Sequence, residues 1–193
     1  MLDGASRIGD MFEAAAAADM PACAITDHGV MYGVLDFYKT GRKHGVKPIL
    51  GMEGYLYDGD RRHKAPSREN GDRTYHLTLL AADNSGYKNL VKLSSQAWLE
   101  GFHYFPRLDH SLLAEHSEGL ICLSGCLSAE IPKLILAGDL VGARRKIGWY
   151  RDLFGDRFYL ELQDHGIPEQ KALNDRLVGF GREMGIDWVA TND

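Results

Sequence analysis

The stretch Pro21-Ala22-Cys23-Ala24-Ile25-Thr26-Asp27-His28-Gly29 decides the fold of this 193-residue chain. Its apolar part predicts a buried strand, and its polar part predicts a tight turn where that strand ends. Amphipathic segments over residues 7–19 and up to residue 44 lie on either side and predict helices. Short apolar runs that alternate with amphipathic segments are typical of an α/β fold with a largely parallel sheet.

The same alternation continues along the rest of the chain. It predicts further strands over residues 48–57, 75–82, 119–123, 158–163 and 188–190. It predicts further helices over residues 86–98, 129–137, 140–154 and 169–184. Residues 58–73 are polar and predict a loop, and the aromatic segment around 102–105 is expected to be irregular. Because no repeat or linker divides the sequence, we expect a single domain over residues 1–193.

The bulk composition narrows the function classes. A net charge of −5 gives no basic face, which argues against a stand-alone DNA-binding module. If the chain meets DNA, metal ions or another part of a larger protein must supply the positive charge. An odd number of cysteines indicates a reducing cytoplasm, and no apolar run approaches the roughly 18 residues that span a bilayer. The abrupt sequence at both ends predicts a domain truncated on both sides.

Six residues that could bind a metal ion lie at or near different strand ends, or just before the first helix: Asp3, His28, Glu53, His76, Cys126 and Asp193. Each alone has an ordinary explanation, such as a satisfied core histidine, a glutamate paired with a base, or a small buried cysteine. An α/β barrel would bring these strand ends into one ring. Mixed ligands of this kind suit Zn²⁺, Mn²⁺ or Fe²⁺, which can activate water and stabilise a displaced phosphate ester.

The remaining histidines receive a different prediction. His165 follows the strand over residues 158–163 and is expected at the rim of the site, where it could touch substrate. The others lie in predicted helices or polar loops and are expected at the surface: His44, His63, His103, His110 and His116.

Six blocks of sequence carry a family resemblance: Leu2-Asp3-Gly4-Ala5, Ala24-Ile25-Thr26-Asp27-His28-Gly29, Tyr75-His76-Leu77-Thr78, Ser124-Gly125-Cys126-Leu127, Glu161-Leu162-Gln163-Asp164-His165-Gly166 and Ala190-Thr191-Asn192-Asp193. In this order they resemble the amino-terminal polymerase and histidinol phosphatase (PHP) domain of bacterial DNA polymerase III alpha subunits. The resemblance implies a distorted barrel of the (β/α)7 type, here incomplete at both ends. It also implies up to three divalent ions, Zn²⁺ or Mn²⁺.

The resemblance assigns the six residues named above as ligands of those ions. The family's opening His-x-His and the last histidine of its closing Asp-x-His fall outside residues 1–193, so three expected ligands are absent from the sequence. We therefore expect the isolated chain to be weakly active or inactive. The polymerase domains of such a protein would lie downstream.

The function implied by the resemblance is a 3′–5′ exonuclease or phosphoesterase site within a DNA-directed DNA polymerase. Asp27 and His165 would orient the substrate. The implied partners are a DNA 3′ end and, through other regions, the sliding clamp and clamp loader, in the cytoplasm and without a membrane. Two alternatives stay open: a non-catalytic scaffold of the polymerase, and a free-standing phosphoesterase acting on a small molecule such as histidinol phosphate.

Overall fold

A computed structural model describes residues 6–64 and 74–192. The strands are β1 (Ala22–Ile25), β2 (Lys47–Tyr57), β3 (Thr74–Ala81), β4 (Phe102–His103), β5 (Phe105–Asp109), β6 (Leu120–Leu123), β7 (Phe158–Gln163) and β8 (Trp188–Thr191). The helices are α1 (Ile8–Ala17), α2 (Val34–His44), α3 (Asn84–Leu99), α4 (His110–Glu115), α5 (Glu130–Leu136), α6 (Leu140–Phe154) and α7 (Pro168–Met184). Across the described ranges, every helix is too short or too polar to cross a membrane. The predicted ligands Asp3 and Asp193 lie outside the described residues.

The strands form one curled, half-barrel sheet in the order β4-β5-β2-β3-β6-β7-β8, and β1 also pairs with β2. This arrangement confirms the α/β class and the distorted barrel. The expected largely parallel sheet is wrong, because β3 runs antiparallel to both β2 and β6, and β4 runs antiparallel to β5. A single polar segment, residues 58–73, joins β2 to β3. Such a loop can join antiparallel neighbours, whereas parallel neighbours need a longer crossover.

The six strands expected from the sequence are all present, and two further strands and one helix were not predicted. The segment expected to be irregular forms β4 and β5, with Tyr104 between them at a φ of 60°. Helix α4 follows at once and begins where the Asp109 carboxylate accepts a hydrogen bond from the Leu112 amide. Helix α6 has the predicted limits, because the Asp139 side chain caps its first turn and Gly155 follows its last residue.

Two hydrophobic clusters support the sheet. A small cluster packs α1 and α2 against β1, and the rings of Phe12 and Phe37 meet there with centroids 4.5 Å apart. The large cluster fills the space between the sheet and helices α3 to α7. Fully buried members of it include Leu79, Leu90 and Phe154. Helices α3 to α7 therefore cover one face of the sheet.

The charged residues of β5 are buried and satisfied within the protein. Arg107 is 1% exposed, and its guanidinium donates hydrogen bonds to the carbonyl oxygens of Gly101, Arg61 and His63 at 3.0, 2.8 and 3.0 Å. The guanidinium also lies 4.3 Å from the ring centroid of Tyr57. Arg107 therefore fastens the chain that leaves β2 to the start of β5.

Candidate metal site

Glu53 lies in the middle of β2 and is 5% exposed. The chain beyond β1 runs parallel to β2 at this point: the Glu53 amide donates to the Asp27 carbonyl, and the Gly29 amide donates to the Glu53 carbonyl. This pairing places His28 beside Glu53, with Nδ1 2.7 Å from Oε1. Gly29 has a φ of 66°, and a Cβ there would lie 2.6 Å from Pro106 Cγ. The turn after His28 therefore requires glycine.

His76 reaches the same carboxylate from β3. Because β3 is antiparallel to β2, the start of β3 lies at the edge of the sheet where β1 ends. The pairing sets Glu53 opposite Thr78 and Tyr55 opposite His76, so Glu53 and His76 are diagonal neighbours on one face. The Nδ1 atom of His76 lies 2.8 Å from Glu53 Oε1.

Cys126 follows the carboxyl end of β6 in a tight turn. Gly125 has a φ of 81°, and a Cβ there would meet Ala129 Cβ at 2.7 Å and the His76 carbonyl oxygen at 2.9 Å. The turn therefore packs directly against the start of β3, and the His76 amide donates to the Ser128 carbonyl. The Cys126 sulfur lies 3.5 Å from His76 Nδ1.

The neighbours of His76 change its affinity for a proton. Hydrogen bonds with Cys126 and Glu53 raise the pKa of His76 to about 10. A cation there would have to displace that proton, so metal binding releases protons and strengthens as the pH rises. Ligand atoms of Glu53, His76 and Cys126 all lie within 4.8 Å of one another. Zinc bonds of about 2.0–2.3 Å hold ligand atoms at such separations, so this donor set fits one borderline transition ion.

The two residues expected to orient substrate lie apart from that cluster in different ways. Asp27 directly precedes His28 and is half-buried. His165 is exposed after β7, where its Nδ1 lies 2.9 Å from Gln170 Nε2 and its Nε2 lies 3.1 Å from the Asn192 carbonyl oxygen. Because the amide nitrogen of Gln170 donates to Nδ1, the Nε2 atom carries the proton and donates to Asn192.

The structure thus brings four of the six predicted ligands together, His28, Glu53, His76 and Cys126. Sequence reasoning missed Glu161, a buried carboxylate behind the site. The signal was present, because Glu161 interrupts the apolar strand β7 as Glu53 interrupts β2. It also missed Tyr55, whose ring lies 5.4 Å from that of His76 and 4.9 Å from that of Phe105.

A second polar cluster surrounds Glu130 at the start of α5. Its carboxylate contacts Lys146 Nζ at 2.6 Å, His110 Nε2 at 3.2 Å and the Tyr150 hydroxyl at 3.1 Å. Asp58, His110 and Glu130 have the spacing of metal ligands, but the Lys146 ammonium already lies between the last two. We therefore interpret the cluster as a buried ion pair. His116 is buried, so the expectation of a surface position was wrong for this residue; His63 is exposed as expected, and three are half-buried, His44, His103 and His110.

Replacing Glu130 by glutamine is expected to lower the free energy of unfolding at pH 7 by about 3 kcal/mol, because Lys146 loses its buried partner. Burial alone would raise the pKa of Glu130. Hydrogen bonds from His110 and Lys146 outweigh this effect, so the pKa of Glu130 lies below its ordinary value. A lowered pKa stabilises the fold above the unfolded value of about 4.3, and this contribution is lost as the pH falls through the folded value. Urea unfolding should therefore separate the two proteins at pH 7, and the difference should shrink as the pH falls below about 4.3.

The exposed pair of Arg144 and Glu183 provides the control for that prediction. Glu183→Gln should change the free energy of unfolding by less than about 1 kcal/mol at either pH. A difference between wild type and Glu130→Gln that stays constant from pH 7 to below pH 4 would contradict the assignment of a charged Glu130.

The curled half-barrel sheet, with a cluster of histidine, glutamate and cysteine side chains at its strand ends, defines an α/β protein with a candidate metal site. The model of the PHP domain family matches residues 1–165, and the chain belongs to that family. Along its whole length it is 46% identical to DNA polymerase III subunit alpha of Borreliella burgdorferi and of Thermus aquaticus, and 45% identical to that of Deinococcus radiodurans. The chain spans 17%, 16% and 15% of the length of these three relatives.

Solved structures share the fold at low sequence identity. A protein from Bifidobacterium adolescentis described as a "putative metal-dependent phosphoesterase" matches 97% of this chain and 82% of its own, with a TM-score of 0.54 and 12% identity. An amidohydrolase from Chromobacterium violaceum with bound sulfate matches 97% of this chain and 84% of its own, with a TM-score of 0.53 and 12% identity. At this identity the likeness concerns the fold alone.

Proposed function

We propose that the chain is the metal-dependent phosphoesterase region of a bacterial DNA polymerase III alpha subunit, and that it hydrolyses the terminal phosphodiester at a DNA 3′ end. The observation that carries the proposal is the convergence of His28, Glu53, His76 and Cys126. The whole-length similarity to replicative polymerase subunits supports the choice of DNA as substrate. The net charge of −5 fits a site in which bound cations, rather than a basic surface, attract the phosphate.

The native ions are proposed to be Zn²⁺ or Mn²⁺, with up to three in the complete domain. Imidazole, thiolate and carboxylate ligands together favour such borderline ions over Mg²⁺ or Ca²⁺. Asp3 and Asp193 are proposed to complete the ligand set from outside the described residues. When bound, ions of this kind lower the pKa of water and stabilise charge on a phosphate ester.

The residues of the chain itself would hold and orient the reactants. The backbone of Glu53 pairs with the chain beyond β1 on one side and with β3 on the other. This pairing fixes the position of the Glu53 Oε1 atom between His28 and His76. Asp27 and His165 are proposed to orient the substrate at the rim. The Nε2–H group of His165 would donate a hydrogen bond to a phosphate oxygen in place of the Asn192 carbonyl oxygen. Hydrolysis adds the water oxygen to phosphorus and breaks the bond to the 3′ oxygen of the preceding nucleotide, which leaves with a proton.

We propose that residues 1–193 form one domain, that the DNA-polymerising domains lie downstream, and that the protein works in the cytoplasm. Its proposed partners are a primer 3′ end and, through other regions, the sliding clamp and clamp loader. A phosphoesterase site within such a protein would remove a nucleotide that the polymerising site has misplaced.

The test uses the full-length polypeptide that carries these residues, freed of metal and then supplied with Mn²⁺ or Zn²⁺. A DNA primer labelled at its 3′ end should release labelled nucleotide only after metal is added. His28→Ala should abolish this release without affecting primer extension. Metal binding without nucleotide release in either protein would instead support the scaffold alternative. Hydrolysis of histidinol phosphate without release from DNA would support the free-standing phosphoesterase.

A further inference from the structure

Glu161 is a buried carboxylate on β7, 4% exposed, and the proposed chemistry does not use it. Its Oε2 atom accepts hydrogen bonds from the Thr78 hydroxyl at 3.1 Å and from the Gly125 amide at 3.0 Å. Its Oε1 atom accepts hydrogen bonds from the Gln163 side-chain amide at 3.1 Å and from the Thr191 hydroxyl at 2.6 Å. Four donors on two oxygens are what a buried ionised carboxylate requires.

Three of these donors belong to segments that carry predicted ligands. Thr78 is two residues after His76 on the same face of β3. Gly125 directly precedes Cys126. Thr191 ends β8 two residues before Asp193, which lies outside the described residues. A single carboxylate thus joins three strands at the edge where the site forms.

The backbone of Glu161 strengthens the same junction. Its amide donates to the Ser124 hydroxyl at 2.8 Å, and the Ser124 amide donates to the Tyr159 carbonyl at 3.0 Å. Both the backbone and the side chain of Glu161 therefore hold the turn from Ser124 to Cys126. Functional ligands need to be held within about 0.5 Å of their working positions, and these hydrogen bonds contribute to that precision.

We infer that Glu161 is a positioning residue for the metal site, fixing the β3, β6 and β8 segments relative to one another so that His76 and Cys126 meet a common ion. The inference rests on the proposed metal-binding function. Outer partners of metal ligands typically change metal affinity by about 10- to 100-fold when they are removed.

The test measures Zn²⁺ affinity of the full-length polypeptide that carries these residues, by competition with a chromophoric chelator. Glu161→Gln should bind about 10- to 100-fold more weakly than wild type, because one amide hydrogen-bond donor now faces another donor. Asp109→Asn is the matched control, since Asp109 on β5 is also a buried carboxylate, 4% exposed. Its carboxylate accepts hydrogen bonds from Arg61 and not from the segments that carry the ligands. It should lower stability and leave Zn²⁺ affinity within about twofold of wild type.

A second readout follows the thiol directly. Bound Zn²⁺ should protect Cys126 from alkylation, measured by peptide mass spectrometry, and this protection should be weaker in Glu161→Gln at equal Zn²⁺. If Glu161→Gln does not fold, Thr78→Val and Thr191→Val each remove one hydrogen bond and keep the carboxylate. Each should weaken Zn²⁺ binding by about 5- to 10-fold, and the double variant should lose less than the sum of the two effects.

The Zn²⁺ affinities of these proteins distinguish the role of Glu161 from the existence of the metal site. A wild-type chain that binds Zn²⁺ while Glu161→Gln, Thr78→Val and Thr191→Val bind it equally well would overturn the role of Glu161 alone. An equal loss in Asp109→Asn would also overturn it, because the effect would then follow from general destabilisation. A wild-type chain that binds neither Zn²⁺ nor Mn²⁺ would overturn both the metal site and the role of Glu161.

Discussion

A Glu53→Ala variant is expected to lose at least about 100-fold in Zn²⁺ or Mn²⁺ affinity, and the full-length protein that carries it should release no nucleotide from a DNA 3′ end. Glu53 Oε1 lies 2.7 Å from His28 and 2.8 Å from His76, so its removal leaves these two imidazoles without the anion that draws them together. Metal content after dialysis and nucleotide release measure the two parts of the prediction.

Two further variants define the cause of that loss. Glu53→Gln keeps the shape of the side chain and removes its charge, and it should bind metal nearly as poorly as Glu53→Ala. His63→Ala removes an exposed histidine from the segment after β2 and should leave metal content unchanged. Full metal occupancy in Glu53→Ala, with the protein folded, would show that the ion lies elsewhere.

An Arg107→Met variant is expected to lower the free energy of unfolding by about 3–5 kcal/mol, among the largest effects of any single substitution in this chain. Methionine keeps the apolar length of the side chain but leaves the carbonyl oxygens of Gly101, Arg61 and His63 without their charged donor. It also removes the guanidinium from the face of Tyr57. For a chain of this size the midpoint of thermal unfolding should fall by roughly 6–20 °C.

Arg62→Met is the matched control, because Arg62 belongs to the same segment but is exposed and forms a surface ion pair with Asp60. It should leave the free energy of unfolding close to that of the wild type, because solvent screens an exposed ion pair. Equal stabilities of the Arg107 and Arg62 variants in urea would contradict the role given to Arg107.

The sequence was most informative where local chemistry and burial agree. Helix α6 was predicted with its limits because Asp139 and Gly155 mark its two ends. Strand β5 was missed because a strand of buried residues is expected to be apolar, whereas Arg107 and Asp109 are charged and are satisfied by distant partners. Helix α4 has only six residues, too few to show a period of 3.6. Strand direction also escaped prediction, since period-two patterns are the same in parallel and antiparallel neighbours.

For the site, residue type and position at strand ends were enough to select His28, Glu53, His76 and Cys126, because ionisable side chains are costly inside an apolar strand. The approach of His76 to the Glu53 oxygen that His28 also contacts depends on the antiparallel register of β3, which pairs Tyr55 with His76. The same sequence argument applied to Glu161 would have marked a buried carboxylate, but its partners come from β3, β6 and β8. Contacts of that range follow from topology rather than from local pattern.

Strand β2 has neighbours on both sides around Glu53 and from Tyr55 to Tyr57, with β3 on one side and the chain beyond β1, then β5, on the other. Backbone amides in such a position exchange their hydrogens with solvent only when the whole domain opens. The amide of Glu53, bonded to the Asp27 carbonyl, should therefore be among the slowest to exchange in heavy water. We therefore expect the Glu53 carboxylate to lie on one of the last segments to unfold. Local unfolding at the edges of the sheet would then leave this carboxylate in position.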